Sequence, residues 1–526
     1  MKRAFLGLFL ITAAIVAYAG DIPDGGTVTI AVWDEPKILN PLYAPEGAAN
    51  LIGNFFTDGL VMNLPDGKAV PDLAESWSVS ADELTWTFHL RKGVRFTDGN
   101  ECTSEDVVLT FVKGNDPKYG GRYSDFANVV REIKATDRYT VVMVLKKPYG
   151  KLLSYLVREV VPASYFKGGS AAEDAYNWHP FGTGPFKLTT REKGRLVFDA
   201  NPDYFLGRPH LDHVVFKVFE DNKKAWVSLM QGETQLMTTV DYEDYTLIKD
   251  DPRFTTYAFL DDFCVQLMFN NRDPMFSDLR LRQAISAAID RKDLVDKILQ
   301  GGGVIANSPF KPGTWPYDPD PSLQAFNAER ASRFLSDLGW KDTDGDWILD
   351  KDGKPLQFNV LTYQGDKFEE TTAKRLQWQL LQVGIRMNVE VLPLQDFLEK
   401  RLPKGDFQAA LLPTNAYQDP DVATTRFWTS PSIGGWNLSR YKNVEVDRLA
   451  DEGRNISDIG KRKQIYHRIS ALIASDSPSA FLYFRNKYTA STSRLKGFTA
   501  PGYFFFNEFL IEWYLDSTNL KKGGKP

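Results

Sequence analysis

Leu356-Gln-Phe-Asn-Val-Leu-Thr-Tyr-Gln-Gly-Asp-Lys-Phe-Glu-Glu-Thr-Thr-Ala-Lys-Arg-Leu-Gln-Trp-Gln-Leu-Leu-Gln-Val-Gly-Ile-Arg-Met-Asn-Val-Glu-Val391 is the stretch that decides the fold. Leu356, Phe358 and Val360 alternate with polar residues, which is the period of a half-buried strand. Lys367 to Val383 is helix-like, and Gly384 supplies a C-cap. Ile385, Met387, Val389 and Val391 alternate again. Strand, helix and strand in this space predict a βαβ unit with parallel strands and a right-handed crossover.

Working outward, the same α/β grammar continues on the N-terminal side. Leu281, Ile285, Ala288 and Ile289 mark an amphipathic helix beginning near Ser277, and a further helix runs near Leu294–Leu299 before Gly301-Gly302-Gly303. Asn327 to Leu338 reads as another helix, closed by Gly339. The first third of the chain reads differently. Trp86, Phe88 and Leu90 alternate on a strand, Thr97-Asp98-Gly99-Asn100 is a turn, and Thr103-x-x-Asp106 has the form of a capping box opening a helix to about Lys113. Val130–Ala135 and Thr140–Leu145 form a hairpin around Asp137-Arg138. This region is an α+β insert.

Composition narrows the function. The 526 residues carry 63 basic and 68 acidic side chains, so there is no basic surplus to hold nucleic acid or an anionic membrane. Lys2 and Arg3, an apolar run from Ala4 to about Ala17, and Ala17-Tyr18-Ala19 have the layout of a secretory signal peptide, with cleavage expected after Ala19. No cysteine lies near that position to carry a lipid anchor, so a periplasmic, unanchored protein is expected. The two cysteines, Cys102 and Cys264, are compatible with a disulfide after export or with two buried thiols.

Motifs for catalysis are missing: no G-x-S-x-G, G-x-x-x-x-G-K-[ST], C-x-x-C or H-E-x-x-H occurs. Neither an enzyme nor a cofactor is expected. His210 and His213 could suggest a metal, but loop-edge histidines are the simpler reading. Asp342, Asp344, Asp346 and Asp350 resemble a calcium loop whose turn glycine is replaced by Trp347 and whose distal glutamate is replaced by Gly353, so a polar turn is expected instead.

The segments Pro71–Trp77, Leu84–Gly99 and Thr103–Val108 resemble the signature of family 5 solute-binding proteins, the oligopeptide- and dipeptide-binding components of ABC importers. Gly182–Leu188, Asn201–Phe205, Gly207-Arg208-Pro209, Phe269-Asn270-Asn271, Asp278–Ile285, Asp419-Pro420-Asp421 and Asn437–Tyr441 extend the resemblance from about Thr27 to Leu515.

It implies a periplasmic binding protein-like α/β fold: two hinged lobes around a cleft, and an extra α+β domain. The expected division is lobe I at 21–56, 180–268 and 487–526, the extra domain at 57–179, and lobe II at 269–486. The resemblance implies capture of a short peptide, or alternatively an oligosaccharide or other small solute, for a membrane permease with its ATPase, by a monomer. A secreted hydrolase or a periplasmic chaperone is the competing class.

In peptide-binding relatives a carboxylate before the D-P-D motif pairs with the peptide's amine. Here that position is Ala416, and the loop is one residue short. The expected contacts are Tyr43 and Glu46 from lobe I, Tyr417, Asp419 and Trp436 from lobe II, and Tyr483 near the hinge, with Trp33 a further stacking candidate for a sugar.

Overall fold

The computed structural model describes residues 22–43, 47–64, 68–116, 124–168, 175–318, 320, 324–416, 419–499 and 510–516. The expected signal peptide and its cleavage site, together with Glu46 and Tyr417, lie outside the described residues. Among the described residues no helix is long and apolar enough to cross a membrane.

The deciding stretch folds as its periodicity dictates. Gln357–Tyr363 and Arg386–Leu392 pair in parallel, from Gln357↔Arg386 to Tyr363↔Leu392, and helix Lys367–Leu381 connects them. Asp366 starts that helix by accepting a hydrogen bond from the Phe368 amide at 2.9 Å. Thr372, Ala373, Leu376 and Leu380 form its buried stripe. Gly384 turns the chain out of the helix and into the second strand at φ +78°, where a side chain would also strike Leu349. Phe358, Val360, Leu376, Leu380 and Met387 all enter one core, each such burial contributing about 1.5–3 kcal/mol.

The extra region is a four-stranded antiparallel sheet in the order Ala74–Val79, Thr85–Leu90, Thr140–Leu145, Val130–Asp137. Helix Ser104–Lys113 lies against it, and the Asp106 carboxylate accepts the Thr103 amide at 2.7 Å, as the capping-box pattern requires. Its core, running from Leu42 to Tyr176, is separate from the others.

One mixed sheet holds the rest together. Its strands run Arg386–Leu392, Gln357–Tyr363, Ala409–Asn415, Phe254–Phe269, Ser479–Thr492, Leu236–Met237, Thr27–Val32, His213–Val218, Arg195–Ala200 and Phe186–Glu192, with Gly303–Ile305 added beside Ser479–Thr492. The two central strands are much longer than the others and antiparallel, pairing from Phe254↔Thr492 to Met268↔Ser479. Tyr257, near one end, packs in a core with Val28, Phe216 and Trp513, while Val265, Leu267 and Phe269, near the other end, pack with Leu376 and Phe358. Apolar contacts along this strand therefore change sides between Tyr257 and Cys264, ahead of the expected lobe boundary at 268/269. The register slips at the same place, between the Leu260 and Cys264 pairings and again between Val265 and Gln266.

Cys102 and Cys264 are both buried free thiols in different cores. His210 and His213 each hold a different carboxylate, Asp24 and Asp199, at 2.7 Å. The Asp342–Asp350 segment is an acidic turn: Asp342 accepts the Gly345 and Trp347 amides, Asp344 the Asp346 amide, and Asp346 pairs with Arg386.

Candidate functional site

The slipped register in the crossing strands places two acids, Asp261 and Asp262, where the chain passes from one lobe to the other, and both are buried. Lys311 holds Asp262 at 2.7 Å and Lys487 holds Asp261 at 2.9 Å. Burial raises the Asp262 pKa, and the adjacent Lys311 opposes that rise. The amide of Ala416 donates to the Asp262 main-chain oxygen at 2.6 Å. The loop expected to read the ligand thus leaves the sheet directly beside this crossing. Ala416 itself is buried and offers no charge.

Beyond that loop, Asp419 caps helix Pro420–Trp428 by accepting the Asp421 amide at 2.9 Å. Its two oxygens also take both terminal nitrogens of Arg462, each at 3.0 Å. Burial would raise the Asp419 pKa, but Arg462 and Lys151 more than offset this and hold it below the ordinary carboxylate range. Arg462 is itself buried, with the Trp315 ring 5.0 Å from its guanidinium carbon. Asp421 pairs with Arg454 at 3.1 Å.

The extra domain meets the second lobe here. The Gly150 amide donates to Arg454 O at 2.9 Å, and Lys147 pairs with Asp451 at 3.0 Å. On the other flank, Glu243 and Lys367 reach across at 3.0 Å, and the Tyr242 hydroxyl donates to Gln300 O at 3.2 Å. These contacts link segments that belong to different hydrophobic cores. Hinge closure in two-lobed proteins is built from small sets of such contacts.

The structure distributes the expected site residues unevenly. Tyr43 is half-buried against the extra-domain core. Trp436 is 60% exposed, with its ring edge-on to Phe427 at 6.2 Å, and Trp33 is 45% exposed. Asp419 stands at the extra-domain seam, already held by Arg462. Tyr483 is the correction. It lies on a crossing strand, as expected of a residue near the hinge, but it is fully buried in the second-lobe core and its hydroxyl is 2.8 Å from Thr372 Oγ1. It has no surface to offer a ligand. The strand's alternation sends this ring into the core, and a sequence without its partner strand does not show which face is which.

Beside Tyr483, Glu369 is buried with Arg485 at 3.6 Å, and burial together with the neighbouring Asp366 carboxyl pushes its pKa up to about 8. Lys151, Asp262, Lys311 and Arg462 were not foreseen. Their partners are distant in sequence, so spacing carries no signal of them.

A sequence profile described as "Bacterial extracellular solute-binding proteins, family 5 Middle" matches residues 68–435. The oligopeptide-binding protein AppA of Bacillus subtilis (strain 168) is 31% identical over 493 residues, covering 91% of this chain and 90% of that one. The structure of AppA from Bacillus subtilis in complex with a nonapeptide superposes with a TM-score of 0.74 at 30% identity, covering 94% of this chain and 100% of that one. NikZ from Campylobacter jejuni in complex with Ni(L-His) gives a TM-score of 0.76 at 25% identity, covering 93% of this chain and 99% of that one.

Proposed function

As the chain belongs to the bacterial extracellular solute-binding proteins of family 5, we propose that it captures short peptides between its two lobes and delivers them to an ABC importer. Proteins of this family are extracytoplasmic transport binding proteins and not enzymes. The observation that carries the peptide reading is the 30% identity, over 94% of this chain, to a structure holding a nonapeptide.

The geometry supports the same cycle. Among the described residues two long strands, Phe254–Phe269 and Ser479–Thr492, run from one core to the other, and their slipped register supports a hinge there. At the flanks, polar contacts such as Glu243 with Lys367 and Gly150 with Arg454 join the two sides. A ligand that bridges the lobes adds contacts only to the closed form, so it shifts the population toward closure. Main-chain hydrogen bonds to an extended peptide would give affinity with tolerance of side-chain sequence.

The division into lobe I (21–56, 180–268, 487–526), an extra domain (57–179) and lobe II (269–486) belongs to this reading, and the slipped register at Leu260–Cys264 supports a crossing close to its 268/269 boundary. So do a periplasmic location after cleavage behind Ala19, a monomeric state, and a permease with its ATPase as partners. Tyr43, Trp436 and Asp419 remain the proposed ligand neighbours, together with Glu46 and Tyr417, which lie outside the described residues. Tyr483 is removed from that set.

A thermal-shift screen of the mature protein tests the assignment, using di- to pentapeptides, oligosaccharides and nickel–histidine. A ligand at 100 times its dissociation constant adds about 2.7 kcal/mol of stability. Peptides are expected to raise the midpoint. A rise with sugars or nickel–histidine alone would keep the transport role and reject the peptide. Trp436→Ala, if it leaves affinity unchanged, removes Trp436 from the site.

A further inference from the structure

The two halves of the main sheet turn the same ends toward one another. In the first lobe, Thr27–Val32 runs parallel to His213–Val218 and to Leu236–Met237. In the second, Gln357–Tyr363 runs parallel to Arg386–Leu392 and to Ala409–Asn415. The helix after Leu236–Met237 carries Glu243, the helix after Gln357–Tyr363 begins at Lys367, and these two side chains meet at 3.0 Å. The carboxyl ends of both sets of strands therefore face each other across the lobes. Open α/β sheets take their ligands just outside those ends.

Asn415 is the last residue of its strand and stands opposite Phe263, inside the slipped register. The residue is half-buried, but its side-chain oxygen is closed off from solvent and accepts no hydrogen bond. Its side-chain nitrogen donates to no described residue. Thr238, directly after Leu236–Met237 in the first lobe, has a hydroxyl that is shielded and unpartnered in the same way. A shielded polar group is costly to leave unpaired, and the cost is relieved when a matching group arrives. Charge near this end is already matched. Asp261 holds Lys487, Asp262 holds Lys311, Asp366 holds Arg485 and Asp419 holds Arg462, all at 2.7–3.0 Å. An incoming ammonium meets no unmatched carboxylate among these four. An incoming peptide group meets, in the Asn415 amide, one acceptor for its N–H and a donor for its carbonyl.

We infer that Asn415 reads a main-chain peptide group of the ligand, in place of the carboxylate–ammonium pair that Ala416 cannot make. The ligands are then peptides bound without need of a free amino terminus, N-blocked peptides included. In taking the ligand as a peptide, the inference rests on the reading above.

The test is calorimetric titration of the mature protein at pH 7 with tri- to pentapeptides, each with a free and with an N-acetylated amino terminus. The wild type is expected to bind the two forms within about threefold of each other. N415L, of similar size, is expected to weaken both forms alike by about 3- to 10-fold, the loss of a neutral hydrogen bond, with thermal melting confirming its fold. N415D supplies a carboxylate and is expected to prefer the free amine by about 10- to 100-fold. A wild type that prefers the free amine by about tenfold or more, or an N415L variant that keeps the wild-type affinity for both forms, overturns the assignment while leaving the peptide function intact. If no peptide binds in either form, the peptide reading fails and this inference fails with it.

Discussion

Gly150 of the extra domain and Arg454 of the second lobe are joined main chain to main chain, with the Gly150 amide donating to the Arg454 carbonyl at 2.9 Å. The approach leaves no room for a side chain: a Cβ on Gly150 would lie 1.9 Å from the Ile456 carbonyl oxygen. Gly150→Val is therefore expected to hold this seam open. A closed form disfavoured by ~1.4 kcal/mol lowers apparent affinity about tenfold. Titration with the best peptide measures the affinity, and small-angle scattering should show a larger radius of gyration with ligand present. Unchanged affinity and an unchanged radius would mean that the seam plays no part in closure.

Glu369 predicts a fall in stability on the alkaline side. Its folded pKa is raised to about 8, mainly by burial, above the ordinary carboxylate value. The folded state therefore favours the protonated acid. That contribution is complete below about pH 4 and is lost as pH rises through about 8. Urea unfolding at pH 6 and pH 9 should differ by about 1–3 kcal/mol from this group, and Glu369→Gln should narrow the gap by that amount. A Gln variant with the wild-type pH profile would show that Glu369 does not titrate there.

Tyr483→Phe separates a core role from a ligand role. The variant loses the 2.8 Å hydrogen bond to Thr372 and leaves that hydroxyl buried, so it should cost about 1 kcal/mol of stability. Ligand affinity should stay within about twofold, since changes remote from a site are usually near-neutral for binding. A larger loss of affinity at unchanged stability would return Tyr483 to the binding site.

The thiols give a direct test of the core assignments. Cys102 and Cys264 are buried, and burial raises both thiol pKa values, so neither should react with a thiol reagent in the folded protein. Both should react after unfolding in denaturant without reductant. A protein that yields no thiols when unfolded would have to contain a disulfide.

Local pattern carried most of the architecture. The alternation at Phe358 and Val360, the helix ended by Gly384 and the Thr103–Asp106 cap all stand where their chemistry places them, because each depends on neighbours within a few residues. The crossing strands were less legible. Phe254–Phe269 and Ser479–Thr492 are far apart in sequence, and their shared slip at Asp261–Phe263 follows from pairing, which a single strand does not display. The same limit explains Tyr483: its type suits a cleft, but the direction of its ring is set by the partner strand. Lys151 and Asp419 are the extreme case, since only the docking of the extra domain against the second lobe makes them neighbours.

The order in which the sheet is assembled has a consequence for folding. Leu236–Met237, near the middle of the chain, pair with Ala490 and Ser491 near its end. During synthesis, the first lobe's sheet must wait with an open edge until almost the whole polypeptide is available. The second lobe waits nearly as long, because the strand that closes it, pairing from Cys264↔Phe484 to Met268↔Ser479, is the earlier half of that same late strand. Long-range closure of this kind is slow and leaves unpaired strand edges exposed. The nascent chain should thus remain a substrate for holding factors until this one strand, which completes both lobes, is released.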